Sequence, residues 1–145
     1  MIHHFSIPAR QPLHVARVLA ELLGGGRVTG FGPRAGGYIA WAGDAHGTAI
    51  EVYPLGTELF PPASGIGQAS FRTAPEASGF TATHAAISVG LSEAQVFALG
   101  QREGWRAVQL DRGGFEVIEF WVENTVMLEV LTPRMAADYL AAAAR

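Results

Sequence analysis

The sequence predicts an α+β fold: two tandem β-α-β-β-β modules form a curved mixed sheet around a shared cleft, and a C-terminal helix follows. Two observations carry this prediction. A strand-like segment with a histidine opens each half of the chain, at His4 and at His84. A glutamate lies in the apolar strand that closes each half, at Glu51 and at Glu129. The two His-to-Glu spacings are nearly equal, as expected for an internal duplication.

The first module is predicted to span residues 1–54. Pro12 opens a helical pattern with apolar residues on roughly one face, and the three glycines at 24–26 end it, because glycine readily takes the left-handed conformation that caps a helix. A glycine-rich segment at 43–47 is typical of a hairpin connection between two strands. The predicted strands of this module are 2–8, 27–31, 38–42 and 48–53.

The second module is predicted to span residues 82–132 and repeats this order. Ser92 and Gln95 have the spacing of a capping box, in which each side chain accepts from a backbone N–H of the other residue. Gly104 ends the helix that they begin, and Glu123 with Asn124 forms a turn. The predicted strands of this module are 83–89, 105–111, 115–122 and 125–131.

Two segments lie outside this repeat. Residues 55–81 are rich in proline, glycine, serine and alanine, so we expect an irregular linker that crosses between modules, covers a site or reaches a partner subunit. Residues 133–145 are rich in alanine and begin with a proline, which suits the first turn of a helix.

Composition excludes several classes of function. The chain has 145 residues and no cysteine, so it has no disulfide, catalytic thiolate or cysteine zinc site. A net charge of −3 without a basic run predicts no nucleic-acid partner. No segment has the length and hydropathy of a membrane span, and the N-terminus lacks the pattern of a signal peptide. These features predict a soluble cytoplasmic protein with no membrane partner.

Strand alternation places the histidines and glutamates on the more polar faces of their strands. His4 shares a face with Ser6, and His84 shares one with Ala86 and Ser88. Each glutamate points away from the branched aliphatic residues beside it. A carboxylate in an apolar strand is costly unless a charge, a metal or water is its partner.

Two imidazoles and two carboxylates near a shared axis would form a plausible site for a divalent metal ion. His4, Glu51, His84 and Glu129 are therefore the candidate ligands. The alternative is a cleft without metal, in which Glu51 and Glu129 pair with water, backbone or an arginine.

The paired module plan, with its opening histidines and closing glutamates, resembles the vicinal oxygen chelate superfamily. Members of this superfamily include glyoxalase I, extradiol dioxygenases, and fosfomycin- and bleomycin-resistance proteins. The resemblance implies that each module curls into a half-open barrel around a cleft. It also implies a site of the glyoxalase type, with His4, Glu51, His84 and Glu129 holding a divalent ion such as Zn, Ni, Mn, Co or Fe. A homodimer is expected from the same resemblance.

Two functions follow from that resemblance. The first is a metal-dependent enzyme, of lyase, isomerase or dioxygenase type, that chelates vicinal oxygens of a small substrate and stabilises an enediolate-type intermediate, with Glu129 or Glu51 as general base. The second is a protein of bleomycin-resistance type that binds no metal and sequesters a small molecule. Four aromatic residues would line its cleft: Tyr38, Trp41, Phe115 and Trp121. The arginines Arg10, Arg17 and Arg34 are scattered and predict no basic cluster for glutathione.

Overall fold

The computed structural model describes residues 2–60, 70–81 and 84–143. Within these ranges it has three helices and ten strands. The helices are α1 (Pro12–Leu22), α2 (Glu93–Glu103) and α3 (Pro133–Ala143). The strands are β1 (His4–Ala9), β2 (Val28–Gly30), β3 (Tyr38–Trp41), β4 (Ala49–Pro54), β5 (Thr57–Phe60), β6 (Ser70–Thr73), β7 (Ala85–Ser88), β8 (Ala107–Asp111), β9 (Glu116–Val122) and β10 (Val126–Leu131).

Two four-stranded sheets repeat one topology. Sheet one has the order β1-β4-β3-β2, and sheet two has the order β7-β10-β9-β8. In each sheet the first and last strands of the module are parallel and the other pairs are antiparallel. Ser6 lies opposite Glu51 in sheet one, and Ala86 lies opposite Glu129 in sheet two. The predicted tandem β-α-β-β-β architecture with a C-terminal helix is confirmed.

The linker differs from the prediction. β5 and β6 pair antiparallel as a separate two-stranded sheet, so the segment between the modules is not wholly irregular. Its content of proline and glycine concealed the short strands on either side of residues 61–69. Those residues lie outside the described part of the chain, as do residues 82–83, at the predicted start of the second module.

The predicted ends of α2 are confirmed. Ser92 accepts from the backbone of Gln95, and the Gln95 side chain accepts from the Ser92 backbone, which completes the capping box. Gly104 has φ +68°, a conformation that glycine adopts without strain, and its N–H bonds to the last turn of the helix.

The segment that leads into α1 is held by the other module. The backbone N–H groups of Arg10 and Gln11, at the start of α1, donate to the two carboxylate oxygens of Glu123 at 2.6 and 2.8 Å. Glu123 lies in the predicted turn between β9 and β10, where it has φ +49° and Asn124 has φ +55°. The turn of module two thereby anchors the two residues that lead into α1.

The core lies between the helices and one face of each sheet. Leu19 and Leu22 of α1, Phe120 of β9, Leu128 of β10 and Met135 of α3 are fully buried there. The face of each sheet that points away from the helices is called the open face below. In the described part of the chain, no helix is long and apolar enough to cross a bilayer.

Candidate functional site

The open face of sheet one contains a cluster of His4, Glu51 and Tyr53. Because Glu51 and Tyr53 are two residues apart on β4, they share a face, and the Tyr53 hydroxyl donates to Glu51 Oε2. His4 Nε2 lies 3.8 Å from Glu51 Oε1. The side chain of Glu51 is 15% exposed and that of His4 is 59% exposed. The cluster thus consists of a mostly buried carboxylate beside an accessible imidazole.

Tyr53 fixes the position of this carboxylate. Its ring is buried and packs edge-on against Phe31 and Phe71. Burial raises the pKa of the phenol well above its usual value, and the hydrogen bond and negative charge of Glu51 raise it further. The phenol therefore remains a hydrogen-bond donor to Glu51 across the ordinary pH range.

The open face of sheet two contains a different cluster. Glu119 of β9 lies directly opposite Glu129 of β10. Arg112 Nη2 contacts Oε1 of Glu119 at 2.7 Å and Oε1 of Glu129 at 2.9 Å. The Trp121 indole N–H donates to the other oxygen of Glu119 at 3.0 Å. One guanidinium therefore separates two carboxylates that would otherwise face each other.

The charges of this second cluster stabilise one another. The hydrogen bond from Arg112 lowers the pKa of Glu119 against the opposing effect of its burial, and the Trp121 N–H lowers it further. The pKa of Arg112 is raised in turn by its hydrogen bonds to Glu119 and Glu129. The Arg112 cation is thus the charge partner of both Glu119 and Glu129.

The two histidines face different cavities. His4 lines a cavity of about 210 Å³ together with Ala86 and Ser88 of β7. His84 lines another, of about 270 Å³, together with Ser6 of β1 and with Met127. The two imidazoles therefore border separate cavities.

In the described part of the chain, the four predicted metal ligands are not gathered into one group. Among residues 2–60, 70–81 and 84–143, no group of three or more His, Asp or Glu side chains could hold a metal ion. His4 and Glu51 approach each other, whereas Glu129 is bound by Arg112 and His84 faces a separate cavity. The pairing of Glu129 with an arginine is the alternative that the sequence left open.

Sequence reasoning missed Arg112 and Glu119 as members of the cluster. Glu119 had a detectable signal, because it shares a face with Trp121 and occupies the position that Ile39 has relative to Trp41 in sheet one. Arg112 had none, since it follows β8 in a short turn with no periodic pattern.

The expected aromatic lining is wrong for two of its four members. Tyr38 lies opposite Val52 and packs on the core, and Phe115 packs edge-on against Tyr139 of α3. Strand alternation places Trp41 and Trp121 on the open faces, where their indole N–H groups donate to Thr29 and Glu119.

No family model and no curated protein matches this sequence. Solved structures do match the fold. The trypanothione-dependent glyoxalase I of Leishmania major is 16% identical, with a TM-score of 0.53 over 98% of this chain and 93% of that chain. The fosfomycin resistance protein FosX of Mesorhizobium loti is 14% identical, with a TM-score of 0.52 over 90% and 88%.

A third match is an integron cassette protein from the mobile metagenome of V. cholerae, 15% identical with a TM-score of 0.51 over 92% of this chain and 94% of that chain. Identities this low carry information about architecture, and the architectures agree over nearly the full length of each chain. The protein therefore has the vicinal oxygen chelate fold.

Proposed function

We propose that the protein is a glyoxalase/dioxygenase-like enzyme in which Glu51 is the general base for a small substrate. The observation that carries this proposal is the environment of Glu51. Its carboxylate is mostly buried on an open sheet face, where one oxygen is held by Tyr53 and the other points toward an accessible imidazole. A carboxylate positioned in this way is suited to proton transfer.

The distance between His4 and Glu51 supports a separate role for each side chain. The 3.8 Å between His4 Nε2 and Glu51 Oε1 exceeds hydrogen-bond length, so a substrate atom or a water molecule can bridge them. Glu51 Oε1 would accept a proton from carbon next to a carbonyl group, and the electron pair would move to the carbonyl oxygen. His4 would donate to that oxygen as its charge develops.

The substrate class is a small α-hydroxy or α-keto compound, free or as a thiol adduct. The test is exchange of the carbon-bound proton in D2O, followed by NMR on a panel of such compounds. Glu51→Gln should slow exchange by about 100-fold or more, because a positioned base contributes roughly 10²–10⁴-fold. The matched Glu129→Gln should exchange at nearly the wild-type rate.

Two outcomes would count against this function. If Glu51→Gln and the wild-type protein exchange the carbon-bound proton at the same rate, Glu51 is not the general base. Tight binding of panel compounds without exchange would instead favour the sequestration function.

A second candidate is a metal-dependent lyase or isomerase whose site is completed by two copies of the chain. The specific observation is that the histidine and the glutamate occupy equivalent strand positions in the two sheets, although metal binding at Glu129 would require Arg112 to leave it. Ser6 lies opposite Glu51 in sheet one, and Ala86 lies opposite Glu129 in sheet two. In each sheet the histidine comes two residues before that partner residue. A homodimer that faces sheet one of one copy with sheet two of the other would gather two histidines and two glutamates.

The metal content of protein purified without a histidine tag tests this second candidate. The expected result is a dimer that retains a divalent ion, with His4→Ala and His84→Ala each releasing it. Less than roughly a tenth of an equivalent per chain, after incubation with Zn, Ni, Mn, Co or Fe(II), contradicts it.

A further inference from the structure

Arg34 has an unusual environment for a charged side chain. It lies in the loop between β2 and β3 and is half-buried. Its Nε donates to Thr57 Oγ1 at 3.2 Å, and its Nη2 donates to Thr73 Oγ1 at 2.8 Å. Both partners are neutral hydroxyl groups of the linker hairpin, β5–β6. The hairpin therefore orients the guanidinium without neutralising it.

No carboxylate compensates this charge within the described ranges. Four other arginines form ion pairs with glutamates: Arg72, Arg102, Arg112 and Arg134. The arginines that lack a carboxylate partner there are otherwise exposed, so water solvates them: Arg10, Arg17, Arg27 and Arg106. A half-buried guanidinium without a counterion is costly, which is the situation that an anionic ligand relieves.

The hairpin register explains why its own glutamate does not fill this role. Thr57 lies opposite Thr73, and Glu58 lies opposite Arg72. Because neighbouring residues in a strand point to opposite faces, the two threonines share the face toward Arg34, while Glu58 points away and pairs with Arg72 at 2.6 Å. The alternation separates the acidic group from Arg34 and leaves the hydroxyl groups beside it.

The site is also held in advance of binding. The Thr57 hydroxyl donates to Pro54 O at 2.6 Å, which directs its lone pairs toward Arg34. The backbone of Arg34 is fixed as well, because its N–H donates to Phe31 O and its carbonyl oxygen accepts from Gly37 N–H. Two of the five guanidinium N–H groups are used by the threonines, and the others have no acceptor among the described residues.

We propose that Arg34 forms an anion-binding site that takes a carboxylate or phosphate group of a small molecule. A planar guanidinium with adjacent free N–H groups matches the oxygens of either group. Arg34 thus recognises an anion in a corner formed by the β2–β3 loop and the linker hairpin.

The corner is connected to Glu51 through aromatic rings. Phe31, beside Arg34, packs edge-on against Tyr53 and Phe71, and Tyr53 donates to Glu51. An anionic group at Arg34 would leave the rest of a ligand free to extend over Phe31 and Phe71, which are partly exposed, toward the buried Tyr53. This inference rests on the proposed function of Glu51, because it takes the ligand of Arg34 to be the substrate of Glu51. The substrate would then carry a carboxylate or phosphate group.

The direct test titrates ¹⁵N-labelled protein with inorganic phosphate and, separately, with acetate, at constant ionic strength. NMR should show saturable shifts of Arg34 Nε–Hε and of the amides of Thr57 and Thr73. Arg34→Gln should weaken binding at least tenfold, and Arg34→Lys should weaken it less, because lysine keeps the charge but loses the planar fork. Arg17→Gln, which removes an exposed arginine, should bind as wild type.

Two results overturn the site: no saturable shift with either anion in the wild-type protein, or equal weakening by Arg17→Gln. The double variant Thr57→Val/Thr73→Val should bind phosphate more weakly than wild type, because the two hydroxyl groups orient the guanidinium. Glu51→Gln should leave phosphate binding unchanged. If the protein binds neither anion but still exchanges the substrate proton through Glu51, only the anion site is contradicted. If it binds phosphate at Arg34 but shows no exchange that depends on Glu51, only the proposed function is contradicted.

Discussion

Arg112 donates through Nε to Glu129 Oε1 at 3.0 Å, and its Nη2 lies 2.9 Å from the same oxygen. This contact makes the two glutamates at duplicated positions chemically different. Glu51 is held by a phenol and lies near an imidazole, whereas Glu129 shares a guanidinium with Glu119. The duplicated halves therefore carry unequal sites, and the proton-transfer role proposed for this protein belongs to Glu51.

Replacing Arg112 should change stability in a pH-dependent way. The pKa of Glu119 is lowered from 4.5 chiefly by Arg112, so this pair stabilises the fold above that pH, and the contribution is lost as the pH falls through the folded-state value. Arg112→Gln should lower the free energy of unfolding by about 1–3 kcal/mol near neutral pH, with the deficit shrinking in acid. Urea denaturation at several pH values measures this.

The matched control for that variant is Arg72→Gln. Its pair with Glu58 is exposed, so the expected change is less than about 1 kcal/mol. Parallel pH profiles for wild type and Arg112→Gln would show that the cluster on sheet two does not stabilise the protein.

Tyr53→Phe should alter the alkaline limit of stability. The pKa of Tyr53 is raised above its ordinary value of 10.0, so the folded state loses stability as the pH rises past that value and the phenol of the unfolded chain ionises. The variant lacks this alkaline loss. At neutral pH it is less stable by about 1–2 kcal/mol, because Glu51 loses its phenolic donor.

Unfolding measured by circular dichroism from pH 8 to pH 11 tests this expectation. Tyr139→Phe is the control, since that ring packs on Phe115 at the surface of the core. A steeper alkaline loss in Tyr53→Phe than in wild type contradicts the assigned hydrogen bond to Glu51.

Glu123→Ala should destabilise the protein although the residue lies in a turn. Its carboxylate accepts from the backbone N–H groups of Arg10 and Gln11 at the start of α1. Loss of both bonds should lower the free energy of unfolding by about 1–3 kcal/mol. Glu123→Gln keeps one oxygen acceptor at the same positive φ, so it should lose less. Equal loss in both variants would assign the effect to charge alone.

Gly56→Ala tests how closely the backbone at Gly56 packs against Ala74, next to the linker hairpin. Gly56 has φ +82°, and a Cβ there would lie 2.2 Å from the carbonyl oxygen of Ala74. Gly43 is the matched control, because it has φ +78° with no atom within 4 Å of its Cβ position. Both substitutions incur the left-handed penalty of about 1–2 kcal/mol. Gly56→Ala should exceed Gly43→Ala by at least about 1 kcal/mol in thermal or urea unfolding.

Local pattern was sufficient for the duplicated modules, the two ends of α2 and the faces of the key strands. His4 and Glu51 could be assigned to the open face from alternation alone, since side-chain direction in a strand depends on sequence position. The Ser92–Gln95 cap was predictable for the same reason, because its partners are three residues apart.

Tertiary structure decided what each of these residues contacts. The partner of Glu129 is Arg112, Glu123 binds the backbone that leads into α1, and Arg34 is held by threonines of the linker hairpin. Each contact joins segments that lie far apart in sequence or meet only through a turn, and no periodicity encodes such a meeting. The sequence by itself therefore determined the fold and the candidate residues, whereas packing between distant segments decided which charges are neutralised and which remain available to a ligand.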